Sequence, residues 1–221
     1  MTTGSPDEAE LARRGVQDPP PWLANRRIER NRPADPEGMA RAIDAFLNAA
    51  GFDRIGEAHL EETPARVAEA WERDLLGGHE KDPVEALGGL FPAESPDLVI
   101  VRDIEFFSSC PHHLLPYRGI AHVAYLPKAK AVGFSGIIRM VDAFAHRLTL
   151  QEWLTRDVAS TLQLALGARG AACFVEATPM CVFARGVKRP CEIATSAFTG
   201  ELDSDPHLRE TVLRSLSVGN R

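Results

Sequence analysis

The chain has 221 residues, 44% of them apolar and 25% charged, with a formal net charge of −6. This is the composition of a globular protein, one compact domain with an extension, and it excludes a wholly disordered, collagen-like or coiled-coil chain. The acidic balance argues against a general binder of nucleic acid or anionic membrane, but local basic clusters can still hold a phosphorylated small molecule. No apolar run approaches the roughly 18 residues that span a bilayer. Residues 1–10 lack the apolar core of a signal peptide, so the expected location is cytoplasmic. In that reducing compartment the four cysteines read as ligands or core residues rather than disulfides.

Residues 1–36 read as a flexible tail, rich in Pro and Arg, and residues 37–221 as the folded domain. Pro36-Glu37 opens a helix with Met39, Ile43, Phe46 and Leu47 on one face. A second helix has Thr63 as its expected cap, Pro64 in its first turn, an apolar face of Val67, Ala70 and Trp71, and a stop at Gly77-Gly78. Residues 82–96 read mostly as a connection. Residues 98–107 are β-branched and aromatic and predict a strand. Tyr117-Arg118-Gly119 is expected to turn the chain into a second strand over residues 120–126. Helical spacing returns at Ile138, Val141, Phe144 and Leu148, then at Leu154, Val158 and Leu162, with Gly167 and Gly170 as stops. Residues 171–177 and 192–198 predict two more strands, and 206–216 a terminal helix. The order predicts an α+β domain with a mostly antiparallel sheet.

Cys110-Pro111-His112-His113 falls on a connection at a strand end. Cys110 and His113 have a common zinc-ligand spacing, and Cys181, beyond the third strand, is the best third candidate. Two thiolates and one imidazole would leave a fourth tetrahedral position open, as in catalytic zinc sites. Cys173 reads as a core thiol, Cys191 as a turn residue and His122 as a hydrogen-bonded sheet histidine. His59, His79, His146 and His207 read as solvent-facing.

Five separated motifs then carry a resemblance. Glu62-Thr63-Pro64-Ala65-Arg66-Val67-Ala68, Asp103-Ile104-Glu105-Phe106-Phe107-Ser108-Ser109-Cys110, His112-His113-Leu114-Leu115-Pro116-Tyr117-Arg118-Gly119, Gln151-Glu152-Trp153-Leu154-Thr155 and Met180-Cys181-Val182-Phe183-Ala184-Arg185-Gly186-Val187 resemble GTP cyclohydrolase I in order and spacing over about residues 36–215. The resemblance implies a tunnelling fold (T-fold), in which an antiparallel four-stranded sheet packs two helices on one face and N-terminal helices precede it. It also implies a homo-oligomer, a decamer of two stacked rings, with active sites between subunits.

The implied reaction opens the imidazole ring of GTP, releases C8 as formate and recloses the ring as 7,8-dihydroneopterin triphosphate. The resemblance gives Cys110, His113 and Cys181 as ligands of Zn2+, His112 as the acid that protonates N7, and Glu152 as the guanine anchor with Gln151 assisting. Ser135, Arg139, Arg185 and a neighbouring subunit's Arg66 are implied to hold the triphosphate. Three positions depart from the family pattern: Pro111 stands where it usually has Glu, Gly136 where it has Lys, and Pro179 where it has His. These leave two alternatives. One is a specialised relative that takes another guanine nucleotide or stops at the ring-opened formamidopyrimidine. The other is a non-catalytic purine-binding ring subunit.

Overall fold

The computed structural model describes residues 28–52 and 55–217. The flexible tail expected over residues 1–36 lies largely in residues 1–27, outside the described residues. Helix α1 (Pro36–Ala49) opens on Asp35, whose carboxylate accepts the Gly38 amide at 2.8 Å, with Pro36 in the first turn. Helix α2 (Thr63–Glu69) runs into a wider π-helical turn (Ala70–Leu75) and a 3₁₀ turn (Gly77–Glu80). Its cap position is Glu62 rather than Thr63; Thr63 is already helical, and its hydroxyl donates back to His59 O.

The connection expected over residues 82–96 contains a short helix α3 (Pro83–Ala86), capped by Asp82, and strand β1 (Leu90–Pro92). The main sheet is built from β2 (Val99–Ser109), β3 (Pro116–Leu126), β5 (Gly170–Pro179) and β6 (Ile193–Gly200), all antiparallel in the order β2-β3-β5-β6. A short β4 (Lys130–Val132) pairs with β1. Tyr117-Arg118-Gly119 does not turn the chain. All three lie in β3 and pair in turn with Pro179, Thr178 and Ala177 of β5, so the turn is confined to residues 110–115.

Helices α4 (Phe134–Ala145) and α5 (Gln151–Leu166) cover one face of this sheet. Their apolar stripes meet Tyr117, Ala121, Val123 and Tyr125 of β3 and Ala171, Cys173, Val175 and Ala177 of β5, the alternate residues of each strand. Burying each of Leu154, Val158, Leu162 and Leu166 of α5 contributes about 1.5–3 kcal/mol. Parity on β2 changes midway: Val99 and Val101 share the helix-covered face with Ile104 and Phe106 because the register shifts between Val101 and Ile104, with Asp103 at φ 59°.

After β5 come the short helix α6 (Met180–Phe183) and β6; α7 (Glu201–Ser204) and α8 (Pro206–Ser217) then close the described chain. Leu202 and Val212 from these last helices pack with Ala124, Leu126 and Ala172 on the opposite face of the sheet. No helix among the described residues is long and apolar enough to cross a membrane.

Candidate functional site

Antiparallel pairing brings the end of β2, the start of β3, the end of β5 and the start of β6 to one end of the sheet. Helix α5 starts at that same end. Gln151, at its first position, is buried and donates its amide nitrogen to Val175 O at 3.1 Å and Ile193 O at 2.7 Å, pinning the helix start across β5 and β6. Glu152 follows in the first turn with its side chain exposed, where the positive end of the helix dipole favours a carboxylate.

The loop between β2 and β3 is closed by two backbone hydrogen bonds, Cys110 N–H to Leu115 O at 3.0 Å and Leu114 N–H to Cys110 O at 2.9 Å. It presents His112 and His113 to solvent, their ring centroids 6.4 Å apart and nearly perpendicular. Cys110 points inward and is buried. Pro179 ends the β5 ladder opposite Tyr117; lacking an N–H, it suits a strand end, and α6 begins at the next residue. This brings Cys181 beside Cys110. Burial, then the charge and hydrogen bond of Cys110, push the Cys181 thiol up, while Arg185 pulls it down.

His113 Nε2 contacts the Arg185 guanidinium rather than the sulfur pair. Among the described residues no three His, Cys, Asp or Glu side chains are gathered closely enough to hold a metal ion. The donors nonetheless suit zinc in kind: two soft sulfurs side by side, and an imidazole three residues from one of them on the same loop. Beside Cys110, the fully buried Ser109 hydroxyl has no hydrogen-bond partner among the described residues, a donor left over for a thiolate.

Tyr117 links the two halves of the site. It is buried, donates to Thr149 O at 3.4 Å, and interacts electrostatically with Cys110 and Glu152. Burial, chiefly, pushes its phenol well above the usual range. From the sequence Tyr117 is expected in a turn, and it lies in β3 instead. The signal that could have found it was its place at the start of an alternating run, Tyr117, Gly119, Ala121, Val123 and Tyr125.

The chain belongs to the GTP cyclohydrolase I family. Its sequence profile matches residues 39–217. The GTP cyclohydrolase 1 of Chromobacterium violaceum is 43% identical over 192 residues, covering 86% of this chain and 93% of its own. That of Ralstonia nicotianae is 42% identical over 200 residues, covering 90% and 95%, and that of Brucella suis 44% over 173, covering 77% and 80%. The α+β arrangement of antiparallel strands and helices is consistent with the T-fold of the GTP cyclohydrolase I family.

The other residues that the family resemblance singled out lie apart from the thiol pair in their observed contacts. Ser135 is exposed in the first turn of α4. Arg139 donates Nε–H to Ala86 O at 3.0 Å and lines an open groove with Lys81, Glu80, Asp82, Glu85 and Asp142. Arg66 pairs with Glu62 one helical turn away, both exposed. At Gly136 a Cβ would stand 2.2 Å from Leu87 O, so the helix approaches the segment after α3 too closely for any side chain. His79 is half-buried rather than solvent-facing and accepts the Leu148 N–H on Nε2 at 3.2 Å. Cys173 is a core thiol and His122 accepts a backbone hydrogen bond within the sheet, as the sequence suggested.

Proposed function

We propose that the chain opens the imidazole ring of guanine in GTP, releases C8 as formate and recloses the ring to 7,8-dihydroneopterin triphosphate. The observation that carries this reading is the approach of Cys110 and Cys181 at the sheet end where α5, which bears Glu152 in its first turn, begins. In this reading Glu152 selects guanine. Its carboxylate accepts the N1–H and the 2-amino N–H together, a pair that adenine lacks. Gln151 fixes the start of the helix that carries Glu152, leaving its carbonyl oxygen for the base.

His112, exposed on the loop next to the cysteine, delivers a proton to N7 as C8 is attacked, which imidazole can do near neutral pH. Cys110, His113 and Cys181 would hold a zinc ion, with His113 exchanging its Arg185 contact for the metal; the ion would supply Lewis acidity and an activated water. Arg185 is then released toward the phosphates. Ser135, Arg139 and a neighbouring subunit's Arg66 complete that end in an oligomer whose sites lie between subunits, and Arg suits phosphate because its donors form a fixed fork.

One observation favours a second reading, a guanine nucleotide with fewer phosphates. Gly136 supplies no cation, and the groove beside Arg139 holds Glu80, Asp82, Glu85 and Asp142 against Lys81 and Arg139. The test is to incubate zinc-loaded protein with GTP, GDP, GMP and guanosine and follow formate and product masses. Formate and dihydroneopterin triphosphate from GTP support the proposal. Turnover confined to GDP or GMP supports the second reading, gain of one water without formate supports arrest at ring opening, and no change with any of the four contradicts all three.

A further inference from the structure

Residues 146–150 cross from α4 to α5 and are tied to the site at several points. Leu148 forms a parallel bridge with Ser109, Thr149 N–H donates to Ser109 O at 3.1 Å, and Thr149 O accepts the Tyr117 hydroxyl. The crossing therefore fixes the distance between Cys110, next to Ser109, and Glu152, two residues beyond Leu150. Its outer side is gripped by the 3₁₀ turn Gly77–Glu80. Gly78 N–H donates to His146 O at 2.8 Å, and a Cβ on Gly78 would lie 2.5 Å from Ala143 O, so the turn sits directly on the end of α4. Arg147 reaches back, donating Nε–H to Gly78 O and Ala143 O and its terminal N–H to Lys81 O. His79 Nε2 accepts the Leu148 N–H.

We propose that His79 is a positioning residue: by accepting the Leu148 amide it holds the 146–150 crossing in register, and so sets Glu152 against Cys110. Its part in guanine binding rests on the function proposed above; its grip on the crossing does not.

The neutral ring is the form that can accept this bond, and the surroundings keep it neutral. Burial, then the positive charges of Arg147 on the crossing and Arg30 from the N-terminal segment, hold the imidazole down to about 4, with Glu80 on its own turn pulling the other way. Arg30 is itself anchored, to the Glu80 carboxylate and, at 3.4 Å, to Leu76 O. Three elements thus converge on one ring, and nothing in the catalytic proposal uses it.

The experiment compares wild type, His79→Phe and His79→Gln by native-state hydrogen exchange and by steady-state kinetics with GTP. Phe removes the acceptor, whereas the Gln side-chain oxygen can replace it without titrating. His79→Phe should raise exchange at Leu148 and Thr149 at least tenfold while Met140 and Val141 of α4 stay protected. It should also raise KM for GTP about three- to tenfold with kcat changed less than twofold. His79→Gln should restore both. Unchanged exchange at the crossing, a uniform rise across α4 and α5, or failure of Gln to restore the crossing would overturn the proposal. If His79→Phe does not fold, His79→Ala carries the same two readouts. A wild type that binds no guanine nucleotide would refute the function reading, while the exchange comparison would still decide the grip.

Discussion

At the scale of single residues, the four cysteines divide by environment. Cys110 and Cys181 meet, Cys173 is sealed in the core, and Cys191 is exposed on a connection. Cys110→Ala and Cys181→Ala should each abolish stoichiometric zinc binding measured on purified protein, whereas Cys191→Ala should retain it. Equal loss in all three would contradict the ligand assignment. Gly136 gives a second prediction. Because a Cβ there meets the Leu87 carbonyl, Gly136→Lys should not build a better phosphate site; it should lower stability by about 1–3 kcal/mol through overpacking, read as a lower melting temperature without a lower KM for GTP. His79 gives a third, in pH. Its folded-state value, about 4, lies below the ordinary 6.5, so the unfolded chain takes up the proton first. The stability it contributes is complete above pH 6.5 and is lost as pH falls through 4, a loss of about 1–2 kcal/mol once partial exposure is discounted. Wild type should therefore lose more stability than His79→Gln between pH 7 and 4.5, and parallel losses would contradict the assignment.

At the scale of elements, the helices that build the core were readable because their apolar residues repeat at helical spacing. Leu154, Val158 and Leu162 all prove fully buried, and Leu162→Ala should cost about 2–5 kcal/mol by chemical denaturation. What local pattern hid was decided by pairing. Tyr117-Arg118-Gly119 looks like a turn because Gly and a polar residue sit together, yet β2 on one side and β5 on the other pair with these residues and extend the strand. Residues 82–96 looked irregular because β1 has only three residues and finds its partner β4 across a large sequence gap. The parity change on β2 depends on Asp103 in the left-handed region, which no alternation of apolar residues announces. The candidate site was legible where chemistry is local, in Cys110-x-x-His113. The pairing with Cys181 was legible through family resemblance and its position after a strand. Tyr117 and His79 were missed because their importance lies in what tertiary packing sets beside them.

At the scale of the whole molecule, apolar surface is left without cover in the single chain. Helix α1 buries none of its residues, with Phe46 66% exposed, and Phe107 and Ile120 lie open on the sheet face opposite α4 and α5. Among the described residues, β2 and β6 are edge strands with one side unpaired. This surface fits self-association, and sedimentation at micromolar concentration should give a mass several times 24.2 kDa; a monomer would contradict an active site shared between subunits. In the proposed function the thiol pair and Glu152 act on one guanine. It is tested most directly with GTP carrying 13C at C8, following the label by NMR with the zinc-loaded protein. One labelled formate should appear for each dihydroneopterin triphosphate formed, and none with Cys181→Ala. Label that stays in intact guanine with the wild-type protein, or formate that persists in Cys181→Ala, would contradict it.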